Sequence, residues 1–241
     1  MDIDFSKVKG IIFDYGGTLD TGGDHWSEVI WDAWQKAGVV ADKAEFREVY
    51  VYAERELART LHILPHHNFH DLLQIKMQIE LTRLSELGHF PPAEVEEMAV
   101  KVADICYSAA KDSVEKSKPV IETLAKTYPL VLVSNFYGNI STVLKDFGID
   151  GCFKKIIESA VVGVRKPDPE IFLLGVKALH LKPEEVLVIG DSYSKDIIPA
   201  QKAGCQAIWL KGRQWSREEE ETLHPATIRS LGEVLSFIEG E

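Results

Sequence analysis

Gly10-Ile11-Ile12-Phe13-Asp14-Tyr15-Gly16-Gly17-Thr18-Leu19 is the stretch on which the fold turns. Ile11, Ile12 and Phe13 form a short continuous apolar run that ends in a carboxylate and then a Gly-Gly pair. A run without polar alternation marks a strand buried on both faces, as in a parallel sheet, and it delivers Asp14 to the strand's C-terminal end. Downstream, residues 130–134, 155–159, 186–191 and 206–210 read as further strands. Helical stretches at 120–127, 140–147, 169–179, 196–203 and 228–238 separate or follow them. Such alternation predicts right-handed βαβ crossovers and an α/β, doubly wound, Rossmann-like parallel sheet.

Between the first strand and the rest, the chain changes character. From Trp26 to about Lys116 it is rich in Ala, Glu, Leu and Lys with apolar residues three and four apart, which predicts amphipathic helices. They are expected at 26–37, 43–61 and 71–87, with a fourth starting after Pro91-Pro92 and passing Tyr107. The domain reading is therefore a core of residues 1–20 and 117–241 carrying an inserted α-helical cap of residues 21–116. Ligands of open α/β sheets bind beyond the carboxyl ends of the strands, near the switch in strand order. Three expected strands end in polar residues there, Asp14, Ser134 and Asp191.

The bulk numbers exclude several classes. A chain of 241 residues with 45% hydrophobic and 27% charged residues is an ordinary globular composition. A formal charge of −11 without a basic patch opposes binding to nucleic acid or to an anionic membrane. No apolar run approaches the ~20 residues of a membrane span, and the acidic N-terminus is no signal peptide. Cys106, Cys152 and Cys205 are odd in number and unpaired in spacing, which fits a reducing cytoplasm. His62, His66, His67 and His70 match no closed zinc set and read as solvated. Whether the chain is a monomer or a homodimer is left open.

Four segments in order resemble the haloacid dehalogenase-like hydrolase superfamily, in its branch with a helical cap between the first two motifs. They are Phe13-Asp14-Tyr15-Gly16-Gly17-Thr18-Leu19, Val133-Ser134-Asn135, Arg165-Lys166-Pro167-Asp168-Pro169, and Gly190-Asp191-Ser192 with Asp196. The resemblance implies that Asp14 is a nucleophile forming an aspartyl-phosphate, and that Lys166 balances the charges of Asp14 and the phosphate. It implies Mg²⁺ as cofactor, held by Asp14, the Gly16 backbone carbonyl and Asp191, with Asp196 as a further ligand or a support. Thr18, Ser134, Asn135 and Lys166 are the expected substrate-binding residues, and a small phosphorylated metabolite is the expected ligand. The chemistry is reasonable for these residue types. A carboxylate can divide one phosphoryl displacement into two easier ones, and Mg²⁺ favours one or two carboxylates with phosphate oxygen and water.

The resemblance fails at one position. Related phosphatases place a second aspartate two residues after the nucleophile as general acid and base, and here that residue is Gly16. Asp20 and His25 are the nearby candidates to stand in. Three alternatives remain at this stage: a regulatory protein that keeps the phosphate and Mg²⁺ site without turnover, phosphonate cleavage through a cap lysine such as Lys36, Lys43 or Lys76, and metal-independent dehalogenation.

Overall fold

The computed structural model describes residues 3–239. Its centre is β1 (Gly10–Phe13), flanked by β2 (Leu130–Ser134) and β4 (Val186–Gly190). With β3 (Lys155–Glu158), β5 (Gln206–Leu210) and β6 (Thr227–Ile228) they form a six-stranded sheet in the order β3-β2-β1-β4-β5-β6. Every pairing is parallel, with Ile12 opposite Val131 on one side and Val188 on the other. The order turns outward in both directions from β1, so the switch point lies between β1 and β4, where Asp14 and Asp191 leave their strands.

The unbroken apolar runs are explained by the two faces. Alternate side chains of a strand point to opposite sides. Ile11, Phe13, Leu130, Leu132, Leu187 and Ile189 face one core, and Ile12, Val131, Val133, Val186 and Val188 face the other. The first face is covered by α4 (Val95–Thr127) and α5 (Ile140–Asp146), the second by α7 (Glu170–Leu179) and α8 (Ile198–Lys202). Burying each such aliphatic side chain contributes roughly 1.5–3 kcal/mol, so a polar residue in any central strand would be strongly selected against by folding alone. Short helix α6 (Ser159–Val162) follows β3, α9 (Arg217–Glu221) follows β5, and α10 (Glu233–Glu239) ends the described chain.

The inserted helices are α1 (Trp26–Ala37), α2 (Lys43–Arg59), α3 (Phe69–Glu86) and the N-terminal part of α4. Their starts are chemical. Asp42 and Asn68 each accept from a first-turn N–H and are answered by Glu45 and Asp71, reciprocal caps that satisfy donors the helix leaves free. Trp34, Phe46, Val49, Leu73, Met77, Leu81 and Val102 fill the core of this layer.

Three expectations need correction. The helix expected separately at 120–127 is the end of α4, which runs unbroken for 33 residues through Pro119. The buried positions Ala110, Val114, Ser117, Ile121 and Leu124 keep helical spacing across the proline, and their packing outweighs the lost N–H. The helix expected at 228–238 begins as strand β6 and becomes helical only at Glu233, because Ile228 pairs beside Leu210. The helix expected at 196–203 is a wide turn over Tyr193–Ile197 running into α8, with Asp196 inside the turn.

No helix among the described residues is long and apolar enough to cross a membrane. Cys106, Cys152 and Cys205 are all free.

One buried group in the helical layer has a testable energetic consequence. Glu80 is wholly buried, and neither carboxylate oxygen has a hydrogen-bond partner. Burial pushes its pKa up to about 8 against the pull of Lys76, with Glu54 adding to the rise. The folded state thus holds a proton that the unfolded chain releases near its ordinary value, and stability falls as pH rises from about 4.5 towards about 8. Glu80→Gln removes that ionisation. Its gain in stability over the parent should be small at pH 5 and grow to ~1–3 kcal/mol at pH 8.5, read from denaturant unfolding at both pH values.

Candidate active site

The three carboxylates Asp14, Asp191 and Asp196 converge at the switch point, each offering an oxygen within 4.8 Å of the others. Among the described residues they are the one group of three His, Cys, Asp or Glu side chains close enough to share an ion. All three are buried. Lys166 lies among them, its Nζ 2.6 Å from Asp14 Oδ1 and donating to Asp196 Oδ1 at 2.6 Å.

Each partner is placed by backbone that has no room for alternatives. Gly17 has φ +95°, and a Cβ there would stand 2.3 Å from Asp191 Oδ2, so the turn after Asp14 brings bare backbone against the second carboxylate. A Cβ on Gly190 would lie 2.5 Å from Asp196 Cβ, which is how β4 and the following turn pack their two acids together. Ser192 N–H donates to Asp196 Oδ2 at 3.0 Å, and Trp209 Nε1–H donates to the Asp191 carbonyl at 2.6 Å. Lys166, which precedes a cis peptide to Pro167, is fixed from both sides by Asn135. Its N–H donates to Asn135 Oδ1 at 2.9 Å, and Asn135 Nδ2 donates to its carbonyl at 3.1 Å.

The electrostatics follow from this crowding. Burial pushes the Asp14 carboxyl up to about 6 despite the adjacent Lys166, with Asp196 adding repulsion. Asp191 is raised well above the usual carboxylate range by burial and by Asp196 and Asp14, against the Thr18 hydroxyl. Lys166 is held well above its ordinary value, since Asp14 and Asp196 outweigh its desolvation. Three carboxylates facing one ammonium leave an excess of negative charge that a divalent cation would offset, and the all-oxygen donor set suits Mg²⁺.

Above this floor is a cavity of about 660 Å³, lined at its base by Asp14, Gly16, Ser134, Asn135, Lys166 and Asp191. Of the expected site residues, Thr18 stands apart. It is fully buried and absent from the cavity wall, and its hydroxyl donates to Asp191 Oδ1 at 2.9 Å, so it orients a carboxylate rather than facing a ligand. Asp196 has both oxygens engaged, by Lys166 and by Ser192 N–H, which fits bracing at least as well as direct ligation.

The two candidate substitutes for the missing acid are now distinguishable. Asp20 is buried behind Trp26. Its oxygens accept from Gly17 N–H at 2.7 Å and Trp26 Nε1–H at 3.0 Å, and it does not reach the cavity. Its pKa is pushed up to about 8, burial outweighing those two donors. His25 does line the cavity, but burial and Lys195 push its pKa down to about 3, so it is neutral. Its Nδ1 accepts from Ser27 N–H at 3.2 Å, which leaves the proton on Nε2 as a neutral donor. Of the three lysines considered for imine chemistry, Lys36 and Lys43 lie outside the cavity and Lys76 lines it. Lys76 is buried against Glu54, which keeps it firmly protonated and therefore non-nucleophilic.

Residues that the sequence did not point to complete the enclosure. Trp215, in the loop after β5, packs with tilted rings against His25 and Tyr50 at centroid distances of 5.4 Å and carries the Arg47 guanidinium 4.3 Å over its ring. Arg213 pairs with Asp24 at 2.7 Å and Asp32 at 2.9 Å. This loop ties the sheet to the inserted helices, and no hydrophobic period announces it. In the His62–His70 segment, His62 meets Glu56 at 3.0 Å and His70 meets Asp104 at 2.7 Å.

The haloacid dehalogenase-like hydrolase family profile matches residues 8–204, and the chain belongs to that family. A glyceraldehyde 3-phosphate phosphatase of Pyrococcus furiosus is 33% identical over 39% of this chain and 40% of its own length. A phosphoserine phosphatase of Thermus thermophilus is 33% identical over 36% of this chain and 34% of its own. The alignments thus span well under half of these curated relatives. Among solved structures, a phosphatase of the family from Thermococcus onnurineus is similar with TM-score 0.55 and 23% identity, covering 97% of this chain and 99% of that one. A 2-haloacid dehalogenase from Pseudomonas syringae gives TM-score 0.54 and 21% identity, with 97% and 99% covered. At those identities the likeness speaks for the fold alone.

Proposed function

We propose that the chain is a Mg²⁺-dependent phosphatase-type hydrolase of small phosphorylated metabolites, acting through an aspartyl-phosphate on Asp14. The observation that carries this reading is the contact of Lys166 with both Asp14 and Asp196 beneath a cavity, with Asp191 close enough to share an ion with the two acids. Phosphatases among the relatives support the reaction class. Asp14, Asp191 and the Gly16 carbonyl would hold Mg²⁺, with Asp196 adjacent, and the ion would supply charge neutralisation of the phosphoryl group.

The chain's own residues do the rest. Asp14 attacks phosphorus and the P–O bond to the leaving group breaks, giving the acyl phosphate, which water then hydrolyses to inorganic phosphate. Lys166 compensates charge on Asp14 and the phosphoryl oxygens, and Ser134 with Asn135 donates hydrogen bonds to those oxygens. With glycine at 16, the leaving oxygen receives no carboxylic proton. Water or the neutral His25 Nε2–H is the remaining donor, which favours leaving groups that are already acidic. Residues 1–20 and 117–241 carry the chemistry in this reading, and residues 21–116 select the substrate. A cytoplasmic setting fits the three free cysteines.

The test is a panel of alkyl, aryl and acyl phosphates and phosphonates assayed with and without Mg²⁺. Turnover of acyl and aryl phosphates should exceed that of alkyl esters, and chelation with EDTA should abolish it, with recovery on adding Mg²⁺. Silence across the panel together with measurable phosphate binding would favour a regulatory protein, and cleavage of phosphonates alone would redirect the chemistry.

A further inference from the structure

We infer that Glu54 is the specificity-determining residue of the cavity, an ionised acceptor that takes a hydrogen bond from a hydroxyl on the organic part of the substrate. This rests on the phosphate-binding reading above and adds a substrate class, hydroxylated phosphate esters of the polyol or sugar kind.

Glu54 belongs to α2, yet it lines the same cavity as Asp14. Its side chain keeps 39% of its surface accessible in an otherwise enclosed position, while its partner Lys76 is 6% exposed behind it. Burial raises the carboxyl's pKa, but contact with Lys76 outweighs this and leaves it below the ordinary value, so Glu54 is a carboxylate at neutral pH. Lys76 is itself held in place 4.5 Å from the Tyr50 ring centroid.

The capacity of the carboxylate is only partly used. Lys76 engages Oε1, and the Tyr137 hydroxyl reaches the two oxygens only at 3.4 Å each. An ionised carboxyl can accept about four hydrogen bonds. Oε2 therefore keeps acceptor capacity on a residue that shares the cavity wall with Trp26, Tyr50, Phe69, Phe136 and Leu73. A ligand anchored at Asp14 and extending towards α2 would meet the Glu54 carboxylate as an acceptor beside aromatic side chains, a placement that fixes orientation in small-molecule sites.

The charge balance decides between donors. Lys76 already neutralises Glu54, and Arg59, Arg165, Lys166 and Lys195 also line the cavity, so an ammonium group would add a cation to a wall that already carries five. A neutral hydroxyl meets no such opposition. A site built around a hydroxyl also penalises the analogue that lacks it, because the acceptor then stays desolvated and unpaired.

The experiment uses the Mg²⁺-loaded protein and two non-hydrolysable ligands, 3,4-dihydroxybutylphosphonate and butylphosphonate, titrated by calorimetry. The parent should bind the dihydroxy ligand ~10-fold or more tightly than its deoxy counterpart, the range of a hydrogen bond to a charged group. Glu54→Gln should remove most of that preference and leave butylphosphonate affinity within about 2-fold. A Glu54→Gln/Lys76→Met double variant, which leaves no buried unpaired ammonium, should behave likewise and serves if the single variant does not fold. Equal affinity of the parent for both ligands would overturn the inference. So would binding of neither, or an equal weakening of both by Glu54→Gln, the signature of a mere tie between α2 and Tyr137. The readout is independent of turnover: a hydroxyl preference in a protein that hydrolyses nothing would keep the subsite and refute the phosphatase reading.

Discussion

Gly16→Asp should raise the turnover of an unactivated alkyl phosphate by about 10²–10⁴-fold, the contribution usual for a positioned general acid and base. The substitution is sterically open. A Cβ at residue 16 would meet nothing nearer than the Trp26 ring at 3.9 Å, and Gly16 is not among the glycines held at positive φ. The new carboxyl would project from the turn after Asp14 towards the cavity side that carries Trp26. Acyl phosphates, whose leaving groups need no proton, should gain far less. Rates for an alkyl and an acyl phosphate, measured side by side on parent and variant, give the check. A parallel rise for both would mean that the substitution altered binding instead, and no rise for either would mean that native turnover uses another group.

Asp14→Asn should abolish turnover, with a loss on the order of 10⁴-fold or more, since the amide keeps the shape but not the nucleophile. It also removes one of three negative charges from a floor whose cation is the single Lys166, so Mg²⁺ affinity should weaken while the fold stands. Indeed, burial penalises the Asp14 carboxylate, so the variant should melt no lower than the parent in Mg²⁺-free buffer. Single-turnover assays with rapid acid quench, looking for a phosphorylated protein, separate the roles. Residual turnover within tenfold of the parent would remove Asp14 as the nucleophile.

What could be read beforehand depended on whether the relevant signal was local. Residues 130–134 and 206–210 were readable to the residue as strands because each is an apolar run bounded by polar or turn residues. The span of α1 is equally plain, since Gly38 marks its stop in the sequence and takes the left-handed conformation there. β6 has only two residues, too few for any period, and the helix expected at 228–238 takes in its Ile228. The floor of the site was legible because four motifs carry it in order. Its roof was not. Nothing in the sequence sets Lys76 apart from Lys36 and Lys43 or marks Glu54 at all, and only the meeting of α2 with α3 brings the two together. Thr18 shows the intermediate case: its motif marked it as important, while its task, a hydrogen bond to Asp191, needed the distance.

The unbroken α4 has a mechanical corollary. At 1.5 Å per residue its 33 residues make a rod of about 50 Å, which crosses from the helical layer to the flank of β2 without a joint. The two layers then cannot swing as beads on a string, because one of the two strands of chain between them is stiff. Pro119 lacks the N–H that would bond the Glu115 carbonyl, so bending concentrates there, a single-axis flexure rather than a free hinge. Any relative movement of the two layers would accordingly follow an arc about that point, and the contacts of Trp215 with His25 and Tyr50, which join the loop after β5 to the inserted helices, would have to slide or release.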